Sequence, residues 1–205
     1  MRKMAREEKK EAPQEVKFVD YQNTVFDSGS SATFMDPSPE QTLSGITQGD
    51  GPSERIGRSV ALVSLHVRGQ LIYSPQASAQ TVPSVRVSCV LDAQTNGSRA
   101  QLTDIFSTSV NPFTSFQNLS YESRFTILRD REFVLSPRAS ATSTEPMDAV
   151  VNFRFNISLD HLPVTLFTGA SDLVGAMTNN SIHLVLLPST GRVGYTYTSR
   201  LRYIG

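Results

Sequence analysis

Residues 57–73, GRSVALVSLHVRGQLIY, carry the strongest β-strand pattern in the chain. Leu65 and Val67 alternate with His66 and Arg68, and a period of two places alternate side chains on opposite faces of a strand. The residues just before this alternation are almost continuously apolar, which is typical of a strand buried on both faces. The stretch therefore predicts a long strand that is buried on both faces at one end.

Strand patterns recur along the rest of the chain, and helical periodicity is nearly absent. A short helical segment is expected at residues 101–106, and residues 124–135 predict a hairpin that turns at Arg129 and Asp130. The other predicted strands cover residues 16–25, 84–91, 150–159, 182–187 and 193–203. Short strands with long connections favour a Greek-key sandwich or jelly roll over a barrel of tight hairpins. The sequence contains no internal repeat with a period of 20–50 residues, which argues against a propeller or solenoid.

The length of 205 residues indicates one domain that can bury its own core. We expect a charged N-terminal arm over residues 1–14 and a single all-β domain over residues 15–205. The 11 Phe and 6 Tyr residues can fill that core in the absence of Trp.

The charge totals balance, with 19 Lys and Arg against 19 Asp and Glu. On bulk charge alone this argues against a strongly basic nucleic-acid-coating protein. The distribution is uneven, however, because all four lysines fall within the first 17 residues. From Phe18 onward, 13 Arg stand against 15 Asp and Glu. A short basic arm therefore precedes a slightly acidic, lysine-free body.

The sequence lacks the residues that several kinds of chemical site require. Cys89 is the only cysteine, so there is no intrachain disulfide or Cys-rich metal site, and its apolar strand predicts a buried, inert thiol. The lysine-free body excludes an internal Walker A loop and a Schiff-base lysine. His66, His161 and His183 are dispersed, and no Gly-x-Ser-x-Gly elbow occurs. We therefore expect no enzymatic activity, cofactor, metal or membrane span.

Four segments resemble capsid proteins of circular, Rep-encoding single-stranded DNA viruses, such as circoviruses. The most specific is the stretch LSGITQGDGPSERIGRSVALVSLHVRG, with its Ile-x-Gln-Gly and Arg-Ile-Gly-Arg elements leading into an apolar strand. The segments occur in the family's order and span most of residues 15–135. They are residues 43–69, EVKFVD at 15–20, VLDAQTNG at 90–97 and SRFTILRDREFVL at 123–135.

The resemblance implies an eight-stranded antiparallel jelly roll built from two four-stranded sheets. It also implies self-assembly of roughly sixty copies into a small icosahedral shell around a circular single-stranded DNA genome. The shell would form the virion, and its assembly would take place in the host nucleus. The alternatives are a lectin-like β-sandwich binding module and a jelly-roll enzyme.

Site residues follow from the arm and from the resemblance. Such capsids usually begin with a long Arg-rich arm, whereas this arm spans only about 14 residues. Gln48, Gly49 and Gly51 are expected to shape a turn before the long strand. Arg55 and Arg58 are expected at a subunit interface or facing the interior, or else in intrachain salt bridges. The predicted DNA contacts are Arg2, Lys3, Arg6, Lys9, Lys10 and Lys17.

Overall fold

The structure is a computed structural model that describes residues 15–73, 83–107, 111–136, 149–189 and 193–205. These residues form nine β-strands, one short α-helix and three 3-10 turns. The strands are β1 (Val16–Val25), β2 (Thr33–Phe34), β3 (Ser59–Tyr73), β4 (Ser84–Asp92), β5 (Phe125–Val134), β6 (Ala149–Ser158), β7 (Thr165–Leu166), β8 (Ser181–Pro188) and β9 (Val193–Ile204). The helix α1 is Leu102–Ile105, and the turns are Pro112–Thr114, Leu119–Tyr121 and Val174–Ala176.

The strands form two antiparallel sheets with a nested order. The first sheet runs β1-β9-β3-β6 and the second runs β2-β8-β4-β5. The first strand thus pairs with the last, β2 with β8, β3 with β6 and β4 with β5. This is the winding of a jelly roll, in which a long antiparallel ribbon is rolled into two Greek keys. The predicted fold class is confirmed, with the two-residue β7 added beside the start of β3.

The main core lies between the sheets. Leu65 and Leu71 of β3 have no exposed surface, and neither do Leu184 and Leu186 of β8. A smaller core lies on the far side of the second sheet, where the connection from β4 to β5 folds over it. There Ile105 and its neighbours pack on Val90, Phe125, Val185 and Leu187. All eight residues of β8 are buried as a result.

The predicted hairpin at residues 124–135 is wrong, because β5 is one continuous strand. Arg129 pairs with Cys89 and Asp130 with Ser88, so the chain does not reverse there. Two-residue hairpin turns favour φ above zero, which Asn and Gly adopt readily and Arg does not. Asn96 and Gly97 do take positive φ angles of 51° and 75°. The predicted turn at residues 94–98 therefore forms, and it opens the long connection after β4.

The strand β3 also differs from its prediction, since it is not buried on both faces. Its second half alternates, with Val67 buried and Arg68 exposed, and its first half does the same, with Val60 buried and Ala61 exposed. The cause is that β3 belongs to the first sheet, whose outer side chains are not covered. The strands buried on both faces are β4 and β8 of the second sheet.

Candidate nucleic-acid interface

Arg55 is fully buried within its own chain. Its Nε donates a hydrogen bond to the carbonyl of Ile46 at 2.9 Å, and its terminal nitrogens donate to the carbonyls of Gly57 and Gly169. The guanidinium lies 4.1 Å from the centre of the Phe167 ring. Burial, and then the nearby charge of Arg58, lower the pKa of Arg55. Arg55 thus ties the connection before β3 to the segment after β7, with backbone carbonyls as its partners.

The loop around Arg55 closes on itself, as the predicted turn requires. Gln48 bridges to Arg55, and the Gly49 amide donates to the Arg55 carbonyl at 3.1 Å. The Glu54 carboxylate accepts from the Gly51 amide at 2.8 Å. A Cβ atom at Gly49 would stand 2.0 Å from a Glu54 carboxylate oxygen, so a larger residue there would displace this side chain from its contact with Gly51.

Lys17 packs against the same loop. Only 8% of its surface is exposed, and its Nζ donates to the carbonyls of Glu54 at 3.0 Å and Gly51 at 3.4 Å. Arg58, by contrast, is exposed beside the loop. The other predicted DNA contacts, Arg2, Lys3, Arg6, Lys9 and Lys10, lie outside the described residues. Of the predicted site residues, the structure brings together Lys17, Arg55 and Arg58.

A larger polar surface covers the outer side of the first sheet. We call it the basic sheet face. Its sixteen side chains form four rows across the strands, and none of them is buried. In the order β1, β9, β3 and β6, the rows are Phe18, Arg202, Ser64 and Ser158; Asp20, Arg200, His66 and Asn156; Gln22, Thr198, Arg68 and Arg154; and Thr24, Thr196, Gln70 and Asn152.

The basic sheet face carries four arginines against a single carboxylate. Asp20 accepts two hydrogen bonds from Arg200, at 2.8 and 2.6 Å, and this contact raises the pKa of Arg200. Among the described residues, Arg68, Arg154 and Arg202 have no carboxylate within salt-bridge distance. Arg68 and Arg154 stand directly opposite each other, a like-charge pairing that disfavours the isolated sheet.

Aromatic and amide groups accompany the arginines on this face. Phe18 is 46% exposed, and the Arg200 guanidinium lies 4.5 Å from its ring centre. A shallow depression of about 520 Å³ is lined by side chains that include Arg68, Arg154 and Gln70. A second depression, of about 450 Å³, lies toward Arg202. The face thus offers charge, planar amides, the Phe18 ring and the His66 imidazole to an extended ligand.

A Ser–His–Asp arrangement occurs elsewhere in the chain, but it is sealed from solvent. The His183 ring lies 2.9 Å from the Ser181 hydroxyl and 2.7 Å from the Asp36 carboxylate. None of the three side chains is open to a substrate, since Ser181 and His183 have no exposed surface and Asp36 has 4%. The Leu184 amide also donates to Asp36. The cluster ties the segment after β2 to β8.

The described part of the chain contains no group of three His, Cys, Asp or Glu side chains that could hold a metal ion. Within the same residues, no helix is long and apolar enough to cross a membrane. Cys89 is buried, and burial raises the pKa of its thiol far above the usual range. The thiol is therefore held in its inert, protonated form.

No protein-family model matches the sequence, and neither does any curated protein. Solved structures similar to this chain include turnip yellow mosaic virus, with 13% identity and a TM-score of 0.35 over 95% of this chain and 82% of that one. Desmodium yellow mottle tymovirus gives 11% identity and a TM-score of 0.34 over 95% and 89%. The 60-mer BFDV capsid protein gives 11% and 0.32 over 94% of each chain. Similarities this low identify no family or function, and the fold assignment rests on the strand order.

Proposed function

We propose that this chain is the structural capsid protein of a circular single-stranded DNA virus. Roughly sixty copies would assemble into a small icosahedral shell around the genome. The protein would act in the virion and would assemble in the host nucleus. Its role would be structural, with no catalytic step.

The observation that carries the proposal is the nested strand order, combined with what precedes β3. Jelly rolls occur in viral capsids, lectins and cupins, so the winding alone leaves several functions open. Residues 43–69 resemble the capsid signature, and the part of this segment before β3 is a closed loop held by Arg55 and Lys17.

Assembly requires surfaces whose burial against a neighbouring subunit is favourable in free energy. The connection from β4 to β5 exposes Phe116 to 82% and Leu119 to 74%. Phe116 lies between the two short 3-10 turns of this connection, and Leu119 begins the second turn. The Arg86 guanidinium fixes this connection by donating to the carbonyls of Phe113 and Ser115. Large apolar side chains held out on an anchored connection are typical of a protein–protein contact.

The genome would be held partly by the arm. Arg2, Lys3, Arg6, Lys9 and Lys10 precede β1, and five positive charges per arm give only a shallow salt dependence of DNA binding. Lys17 donates both of its hydrogen bonds to backbone carbonyls of its own chain, so it supports the fold at the base of the arm.

Electron microscopy and sedimentation of the purified full-length chain test the proposal. Closed particles of uniform diameter are expected over some range of salt and pH. A species that stays monomeric under every condition would overturn it. If that monomer instead bound a carbohydrate on a glycan array, the lectin-like alternative would replace it.

A second measurement tests the role of the arm. Particles that lack residues 1–14 should carry less nucleic acid than intact particles, seen as a lower ratio of absorbance at 260 nm to that at 280 nm. An unchanged ratio would move DNA binding from the arm to the folded body.

A further inference from the structure

We infer that the basic sheet face binds the phosphate backbone of single-stranded nucleic acid, with Arg68, Arg154 and Arg202 as the neutralising charges. The choice of ligand rests on the proposed capsid function. It implies that this sheet, rather than the second one, faces the interior of the shell.

The charge distribution is the first reason. The body from Phe18 onward has more acidic than basic residues, yet this face carries four arginines against one aspartate. Among the residues that the structure describes, only Arg200 has an acidic partner there. Opposed like charges such as Arg68 and Arg154 weaken a sheet unless a counter-charge lies between them. A polyanion supplies that counter-charge.

The second reason is that none of the side chains of the basic sheet face is buried. The two sheets differ on their outer sides, because the connection from β4 to β5 covers the second sheet and buries β8 completely. On the first sheet, by contrast, Arg68, Arg154 and Arg202 are all exposed. A sheet surface with this composition favours contact with a solvated, charged ligand over contact with an apolar surface.

The spacing of the cations is the third reason. Arg202, Arg200 and Arg68 occupy three successive rows of the face, and Arg154 lies beside Arg68 on the next strand. Rows along a strand are about 7 Å apart and strands are about 4.8 Å apart, so the four charges follow a diagonal track. An extended polyanion can follow such a track without a specific base sequence.

The neighbouring groups favour a nucleic acid over other polyanions. Phe18 is half-exposed beside Arg200, and base stacking on an aromatic ring tolerates any sequence. Phe18 also lies near the start of β1, where the chain enters from the basic arm. The arm and the face would therefore engage one strand of nucleic acid in succession.

The test is a titration of the unassembled full-length protein with a fluorescent oligothymidylate at several salt concentrations. Each phosphate contact on a single strand contributes about 0.7 to the slope of log K against log salt. The triple variant Arg68→Gln, Arg154→Gln, Arg202→Gln should lower that slope by about 2 and weaken binding at low salt by about tenfold or more. The corresponding triple Arg→Lys variant should keep most of the slope.

A pair of double variants serves as the matched control. Arg129→Gln with Arg131→Gln removes two charges from exposed positions off the face, and the slope should stay unchanged, whereas Arg68→Gln with Arg154→Gln removes two charges from the face and should lower it. Equal losses in the two double variants would show a general charge effect and overturn the inference. Circular dichroism of each variant confirms that the fold is retained.

Phe18→Ala distinguishes a nucleic acid from another polyanion. It should weaken oligothymidylate binding severalfold and leave the salt slope unchanged, because stacking involves no counterion release. A heparin fragment that binds more tightly than the oligonucleotide and ignores Phe18→Ala would overturn the nucleic-acid assignment.

The two proposals can fail separately. If no particles form under any condition, the capsid proposal fails while the titration still reports on the face. If particles form but the triple Gln variant binds the oligonucleotide like the unmodified protein, only the inference about the face fails.

Discussion

The guanidinium of Arg55 lies 4.1 Å from the centre of the Phe167 ring, inside the protein. Within the described part of the chain it has no carboxylate partner. Its donors go to backbone carbonyls of three separate positions, Ile46, Gly57 and Gly169. The Arg55 side chain thus supplies hydrogen bonds to backbone carbonyls of irregular segments, where no helix or strand supplies them. The arginine holds the loop before β3 against the segment after β7, and its guanidinium packs on the Phe167 ring.

Replacement of Arg55 by Met should destabilise the fold strongly. The change keeps an apolar stem beside Phe167 but leaves buried carbonyls without a donor. We expect the free energy of unfolding to fall by about 3 kcal/mol or more, as measured by urea denaturation of unassembled protein. Arg58→Met, at an exposed position in the same loop, should change it by less than about 0.5 kcal/mol. Equal midpoints for the two variants would contradict the structural role of Arg55.

The buried pair of Asp36 and His183 should also be costly to break. Asp36→Asn keeps the shape of the side chain but removes the charge that faces His183 at 2.7 Å. The change leaves the buried His183 ring without its carboxylate hydrogen-bond partner, which costs about 1–3 kcal/mol, so the thermal midpoint should drop by several degrees. Asp160→Asn, at an exposed carboxyl group, is the control and should leave the midpoint in place. An unchanged midpoint for Asp36→Asn would show that the cluster contributes nothing to stability.

Alkaline pH should destabilise the protein through its buried tyrosines. Burial raises the pKa of Tyr195 and of Tyr203 to about 12, and raises those of Tyr21 and Tyr197 further. The unfolded chain ionises near pH 10 while the folded chain stays protonated, so stability is intact below pH 10 and falls as the pH rises toward 12. Thermal melts between pH 8 and 12, with tyrosinate absorbance followed in parallel, measure the effect. Ionisation of all six tyrosines near pH 10 without unfolding would contradict the burial of these four rings.

The long strands could be predicted because alternation along one chain reveals them. Leu65 and Val67 of β3 show a period of two in the sequence, and Phe153 and Phe155 of β6 show the same. Alternation says nothing about the partner strand, however. The charged centre of β5 therefore resembled a turn, although its pairing with β4 keeps it extended. Charges at such a position are typical of an edge strand protected from unwanted pairing.

The basic sheet face was not predicted, for a related reason. Arg68, Arg154 and Arg200 each occupy a polar position of an alternating segment, which is visible in the sequence. Their convergence depends on strand order and on a register such as Arg68 opposite Arg154, which no local pattern determines. The burial of Arg55 escaped prediction too, because a charged residue in a glycine-rich loop is ordinarily exposed.

Particle formation should depend on the apolar side chains of the connection from β4 to β5. Phe116→Ser combined with Leu119→Ser removes two large exposed groups without touching either core, so the unassembled protein should keep its thermal midpoint. Sedimentation should show a shift from particles to free subunits, with the protein concentration needed for assembly raised about tenfold or more. Ser120→Ala, in the same turn, should assemble normally. If the double variant assembles at the concentration of the unmodified protein, the subunit contacts lie on another surface and this connection is merely solvated.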